Sequence, residues 1–244
     1  MKAVKKAALE HAHVPESAFG KWFLRTGVWT HRVLEIALLD LCELMSHKSA
    51  DQTPQFDVIV DVACGYGESL AKLNSRFSPK KLIAMDIDPE MLDEAAKKAE
   101  RDKLDNVEYI ECSNSKINLP DNSVDMLFCH QSFHHLIYME EAMAEYFRVL
   151  RPGGVLLFAE STKRYIHSWV IKWLFRHPMK VQKTADEYLE LIRGSGFSID
   201  DAQISYPFLW WSREDMGVME NLFGRKPPVD REETLVNLIA IKPL

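Results

Sequence analysis

The chain has 244 residues, 47% hydrophobic and 27% charged, values that suit one globular α/β domain of ordinary size with a full core. Its net charge of −6 argues against nucleic acid as the main partner, because phosphate contacts need a basic face. No uninterrupted apolar segment reaches the ~18 residues of a membrane span. The lysine-containing start, Met1 to Lys6, has no apolar stretch of the signal-peptide kind behind it, so a cytoplasmic protein is expected. The cysteines Cys42, Cys64, Cys112 and Cys129 lack C-x-x-C spacing, which speaks against zinc and redox motifs.

In chain order, residues 14–47 come first, with Trp22, Phe23, Trp29, Val33, Leu34, Ile36, Leu38 and Leu41 near helical spacing. They read as a helical cover on a sheet edge, or as a lid over a pocket. Strands are predicted at 57–62, 81–86, 107–111, 123–129, 154–160, 197–205 and 234–241, with helices at roughly 68–77, 89–102, 139–150 and 184–195. The alternation predicts a doubly wound, mostly parallel sheet. Pro89 follows Asp88, a candidate N-cap, and Thr184-Ala-Asp-Glu187 is a capping-box pattern. A basic amphipathic segment, 163–180, carries an apolar stripe of Ile166, Trp169, Val170, Trp173 and Leu174. It reads as a plain cover or as a membrane-surface helix. Phe208-Leu-Trp210-Trp211 suits pocket lining or packing equally.

The most telling stretch is residues 57–70. An apolar run ends in Asp61, turns through Gly65 and Gly67, and opens a helix. Glycine allows positive φ and close approach of a ligand, and a helix N-terminus attracts an anionic group. The next strand ends in Asp86, about 20 residues on, where a carboxylate can accept from ribose hydroxyls. A nucleoside-containing cofactor across the strand ends follows. Ala63 in place of a first glycine, and Glu68 at the helix start, fit a diphosphate poorly and speak against a nicotinamide-dependent dehydrogenase. A cofactor with an amino-acid tail has no such conflict.

These residues resemble a known family. Asp61-Val-Ala-Cys-Gly65-Tyr-Gly67 is similar to the D-x-x-x-G-x-G loop of class I S-adenosylmethionine (SAM)-dependent methyltransferases. Asp86-Ile-Asp-Pro-Glu-Met91-Leu resembles the acidic loop after their second strand. Leu119-Pro-Asp-Asn-Ser-Val-Asp125 resembles the approach to their fourth, and Arg148-Val-Leu-Arg-Pro-Gly153-Gly154 their turn before the fifth. The resemblance covers residues 57–160 and is closest to the small-molecule, quinone-biosynthesis branch. It implies a Rossmann-like seven-stranded sheet, order 3-2-1-4-5-7-6, with the last strand antiparallel. Residues 1–50 are then a helical cover or lid. Residues 51–244 are the SAM-binding domain, with covers inserted at about 161–183 and 207–233.

The resemblance places Asp61, Ala63, Cys64, Gly65 and Gly67 at the methionine part of SAM and Asp86 on the ribose. Ile87 and Met91 flank the adenine. Cys112-Ser113-Asn114 stands where the family has an acidic G-D-A-type segment, so Ser113 or Asn114 is left to meet the adenine edge. Cys129 and His130 end the fourth strand, facing the transferred methyl. His130 is the candidate general base, with contact to cofactor or turn backbone as the plainer role. Trp22, Trp29, His134, Tyr138 and Trp210 are candidate acceptor-pocket residues. His134-His135 resembles the family's H-H-L helix start. Three histidines fall close together at 130, 134 and 135, but adjacent histidines point in different directions and no nearby carboxylate completes a set, so no metal is expected. The expected activity is methyl transfer to a small apolar or aromatic acceptor, with S-adenosylhomocysteine as product. A non-catalytic SAM-binding module, or a methyltransferase acting on a macromolecule or lipid, is the alternative.

Overall fold

The apolar runs at 58–62, 81–86 and 124–130 become strands buried along most of their length. The computed structural model describes residues 13–46, 55–213, 222, 224 and 231–244. Its strands are β1 (Val58–Val62), β2 (Lys81–Asp86), β3 (Val107–Glu111), β4 (Val124–His130), β5 (Leu150–Ser161), β6 (Ile204–Ser205) and β7 (Leu235–Ile241). They form one seven-stranded sheet of order β3-β2-β1-β4-β5-β7-β6. β1 to β5 pair in parallel and β7 runs antiparallel to β5 and β6. The order and the antiparallel last strand agree with expectation.

The helices are α1 (Ala18–Phe23), α2 (Glu35–Ser46), α3 (Leu70–Phe77), α4 (Pro89–Arg101), α5 (Met139–Val149), α6 (Lys163–Ile166), α7 (Trp169–Leu174) and α8 (Ala185–Gly194). Alternation along β1 sends Val60 and Val62 into one core with Tyr146 of α5 and Tyr188 of α8. Ile59 enters the opposite core with Leu38 and Leu41 of α2, Leu73 of α3 and Ala95 of α4. Period-two strands between amphipathic helices thus give a three-layer sandwich. Asp88 caps α4 by accepting from Glu90 N at 3.0 Å, and Thr184 and Glu187 form the predicted capping box of α8.

Three elements differ from the sequence expectation. The 163–180 segment is two short helices. Ser168 N bonds back to Tyr165 O (2.9 Å), closing the first, and the chain is extended from Phe175. His167 Nε2 then reaches Met179 O at 3.1 Å. The 197–205 strand shrinks to two residues, because Asp200 accepts from Ala202 N (3.0 Å) and nucleates a 3₁₀ turn over Asp201–Gln203. Residues 14–46 break after α1, and a π-helical turn over Trp29–Leu34 leads into α2.

Two of the family-like motifs prove structural. Asp125 accepts from Val58 N (2.7 Å) and pairs with Arg151, fixing the start of β1. Arg148 donates to Leu119 O (2.9 Å) and Ile117 O (2.8 Å) and pairs with Asp121 and Glu145. Both clamps tie the segments leading into the strands rather than the loops that follow β1 and β2.

Candidate cofactor and acceptor site

The turn after β1 is held by two kinds of glycine. Gly65 has φ +54 and open space where a Cβ would stand. Gly67 has φ +75, and a Cβ there would lie 3.0 Å from Ala95 Cβ. The first glycine leaves room for a ligand, and the second lets the turn pack on α4. Ala63 also takes positive φ, +53, a cost that alanine bears less readily than glycine.

Asp86 ends β2 and organises this turn. Its Oδ2 accepts from Gly65 N at 2.9 Å and its Oδ1 from Asp88 N at 2.9 Å. Burial pushes its pKa up, against the pull of these N–H groups. Asp61 is buried beneath the loop and accepts from the Ser69 hydroxyl. Burial raises its pKa to about 7, opposed by Ser69 and reinforced by the charge of Asp86.

A cavity of about 330 Å³ opens in front of this turn. Its core-side wall includes Ala63, Gly65, Asp86, Ile87, Met91, Ser113 and Asn114. Its other wall is aromatic and apolar: Phe19, Phe23, Trp29, Leu174, Phe175 and Trp210. Ser17 joins the two covers by donating to Leu174 O at 2.7 Å, and Phe19 meets Phe175 edge-on at 5.4 Å between centroids. The N-terminal cover is also tied to the cofactor-side loops, through Lys21–Asp88 (3.4 Å), Thr30–Glu68 (3.1 Å) and Arg25 over the Tyr66 ring (4.1 Å).

The predicted site residues divide. Ala63, Gly65, Asp86, Ile87, Met91, Ser113, Asn114, Trp29, His134 and Trp210 share the cavity. Asp61, Cys64 and Gly67 support the turn from beneath, outside the cavity wall. Trp22 and Tyr138 correct the expectation: they are 60% and 45% exposed, on helix α1's outer side and at the start of α5, and neither lines the cavity. Cys129, in β4, is fully enclosed, with its thiol near Ser132, Tyr146 and Glu160. Burial pushes its pKa far up, so it stays a neutral thiol.

His130 also departs from its expected role. Its ring stacks on Phe128 (5.8 Å) and meets Trp29 (5.3 Å), and Nε2 is buried without a hydrogen-bond partner. Burial lowers its pKa to about 4. A ring that releases its proton so readily is a poor base at neutral pH, and His130 is not part of the cavity wall.

Glu160 is the residue the sequence reading missed. It ends the apolar run of β5, fully buried, and accepts from Ser132 N (2.8 Å), Phe133 N (2.8 Å) and His134 Nδ1 (2.6 Å). Burial alone would raise its pKa, but His134 and the two N–H groups outweigh that and hold it low. An acid closing a buried strand, as Asp61 and Asp86 do, was the available signal. The reasoning against convergent histidines is also overturned. The His134 and His135 rings lie 4.5 Å apart, both close on His177 from the cover, and carboxylates stand beside them.

The sheet order, the acidic ends of β1 and β2 and the double-glycine turn define a Rossmann-like α/β core of the SAM-binding kind. Residues 60–158 match the family model described as a methyltransferase domain. A malonyl-[acyl-carrier protein] O-methyltransferase from Marinomonas sp. is 25% identical over 67% of this chain and 61% of its own length. A ubiquinone/menaquinone biosynthesis C-methyltransferase from Salmonella arizonae is 33% identical over 44% of each chain. The chain therefore spans less than two thirds of these relatives. The crystal structure of a SAM-dependent methyltransferase from Aquifex aeolicus superposes with a TM-score of 0.55 at 20% identity, over 87% of this chain and 98% of that one. Residues 60–158 thus carry a methyltransferase-domain match on the fold of the class I SAM-dependent methyltransferases, and SAM is the cofactor of that class. Among the described residues no helix is long and apolar enough to cross a membrane.

Proposed function

We propose that the chain moves the methyl group of SAM to a small apolar or aromatic acceptor held under the two covers. One observation carries this reading: a single cavity joins the cofactor-side wall of Gly65, Asp86 and Asn114 to an aromatic wall of Phe19, Trp29 and Phe175. An acceptor lying between them is screened from water and aligned with the cofactor. The names of two relatives, a ubiquinone/menaquinone biosynthesis C-methyltransferase and a malonyl-[acyl-carrier protein] O-methyltransferase, are consistent with a small acceptor group.

SAM, when bound, supplies an electrophilic methyl group for in-line displacement. In this reading Asp86 takes the ribose hydroxyls, and Ile87 and Met91 flank the adenine. Ser113 and Asn114 meet its edge, and the Gly65 turn meets the methionine part. The aromatic wall orients the acceptor and excludes water. His130 acts as a stacked, neutral support for Trp29 rather than as a base.

Calorimetry tests this reading first. SAM and S-adenosylhomocysteine are titrated into the protein, with NADH and Asp86→Ala as controls, and acceptors are then screened by methyl incorporation. Micromolar binding of both, lost in Asp86→Ala, with turnover on an apolar acceptor, is the expected result. Binding without turnover on any acceptor would favour a non-catalytic SAM-binding module. Turnover only on RNA or protein would remove the small-acceptor reading.

A second reading concerns delivery of the acceptor. Trp169 and Trp173 are 71% and 80% exposed on α7, next to exposed Lys163, Lys172 and Arg176. Tryptophan with basic neighbours suits a lipid surface, and the inner side of the same helix, Ile171 and Leu174, lines the cavity. An apolar acceptor would then enter from a membrane without crossing water.

A further inference from the structure

His134 and His135, from the 3₁₀ turn after β4, meet His177 from the stretch after α7. Each offers a ring nitrogen, and these atoms all lie within 4.8 Å of one another. Ring centroids are 4.5 Å (His134–His135), 4.7 Å (His135–His177) and 5.1 Å (His134–His177) apart.

Partners outside the cluster fix which nitrogens are left. His134 Nδ1 meets the ionised Glu160 carboxylate at 2.6 Å, and His135 Nδ1 meets the Val14 carbonyl at 3.2 Å. A carboxylate and a carbonyl only accept, so both Nδ1 atoms carry hydrogen and Nε2 is the free atom of each ring. His135 Nε2 then faces Glu16 Oε2 at 3.4 Å. With Nε2 unprotonated, its lone pair and the Glu16 oxygen face one another across a gap that a shared cation would bridge. His177 adds a second unresolved atom: its Nδ1 is buried with no hydrogen-bond partner.

We propose that His134, His135 and His177 bind a divalent transition-metal ion, with Zn²⁺ the best match, and that Glu16 stands beside it as a fourth, charge-balancing group. Three imidazole nitrogens with a nearby carboxylate are a borderline-soft donor set of the kind zinc takes. The Glu160–His134 and Val14–His135 bonds supply the outer-shell orientation that metal-binding histidines usually have. Ligands at ~2.0–2.1 Å in a tetrahedron lie roughly 3.4 Å apart. The observed set spans up to 4.8 Å, and rotation of the His177 ring, whose Nδ1 no bond holds, is the adjustment that would close it. All four residues line the cavity. The ion would therefore sit in the wall, joining the turn after β4 to both covers. The proposal does not depend on methyl transfer.

The test uses the full chain stripped with chelator and dialysed, with ZnCl₂ and CoCl₂ alone as probes. Calorimetry and metal analysis are expected to give about one ion per chain with micromolar or tighter affinity. Co²⁺ should show the visible bands of a nitrogen-rich tetrahedral site, and Zn²⁺ should raise the melting temperature. His177→Ala and His135→Gln, checked for folding by circular dichroism, should each weaken binding by at least ~10-fold and abolish the cobalt bands. His31→Ala, at an exposed histidine away from the cluster, should change neither. Sub-stoichiometric binding by the wild type, or equal binding by His177→Ala and His135→Gln, would overturn the proposal.

Discussion

Gly65 donates its backbone N–H to Asp86 Oδ2 at 2.9 Å, so the turn after β1 and the end of β2 form one rigid corner. The same carboxylate oxygen pair that would meet a ribose also shapes the backbone that would meet the methionine part. Asp86→Ala is therefore expected to remove a direct contact and loosen the turn together. SAM affinity should fall ~10- to 100-fold, the equivalent of about 1.5 to 3 kcal/mol for hydrogen bonds to a charged group. Calorimetry reads it, and an unchanged Kd would count against the assignment.

The two glycines separate stability from binding. Gly67→Ala adds a Cβ against Ala95 at 3.0 Å in a backbone of φ +75, and should cost about 2 kcal/mol or more in urea unfolding. Gly65→Ala meets nothing within 4 Å. It should cost about 1 kcal/mol, from φ alone, yet reduce SAM affinity, because its Cβ enters the space in front of the turn. Equal effects of both variants on stability and binding would contradict this division.

Asp61 carries a pH signature. Its folded pKa is raised from the carboxylate range to about 7, chiefly by burial, so the folded state holds a proton that the unfolded chain releases. That contribution is fully present below about pH 4 and is lost as pH rises toward 7. The slope is at most about 1.4 kcal/mol per pH unit. The stability of wild type relative to Asp61→Asn should thus fall between pH 4 and 7 and level off above it. Urea melts across this range check the sign, and a parallel pair of curves would refute it.

Glu160 is expected to be a stability residue. Glu160→Ala leaves Ser132 N, Phe133 N and His134 Nδ1 without their shared acceptor in a fully buried place. Breaking one side of such a buried pair costs about 3 to 5 kcal/mol. A loss below about 1 kcal/mol in chemical unfolding would show that water replaces the carboxylate.

Trp169 and Trp173 touch little of the core, so Trp169→Ala with Trp173→Ala should leave stability within about 0.5 kcal/mol. If the lipid-surface reading holds, the same pair should abolish flotation with anionic liposomes. Unchanged flotation, or none by the wild type, would dispose of it.

The sequence by itself determined the strands and the turn that joins the ends of β1 and β2, while the strand order came from the family resemblance. Alternating apolar runs closed by Asp61 and Asp86, with glycines at 65 and 67, specify local backbone geometry, and local geometry is what periodicity and turn chemistry encode. The Leu119–Asp125 and Arg148–Gly154 motifs were legible for the same reason, although their work is to clamp strands. Only the tertiary structure decided what faces the cavity. Trp22 and Trp29 share one amphipathic pattern, yet a break after α1 turns one to solvent and the other onto His130. Helix α7 lies with its tryptophans outward, because Ile171 and Leu174 fill the cavity wall. His177, 42 residues beyond His135, meets it only because Ser17 and Phe19 draw the two covers together over the sheet. Contacts between segments so far apart depend on which faces pack, and burial, not spacing, sets the charge state of each group there.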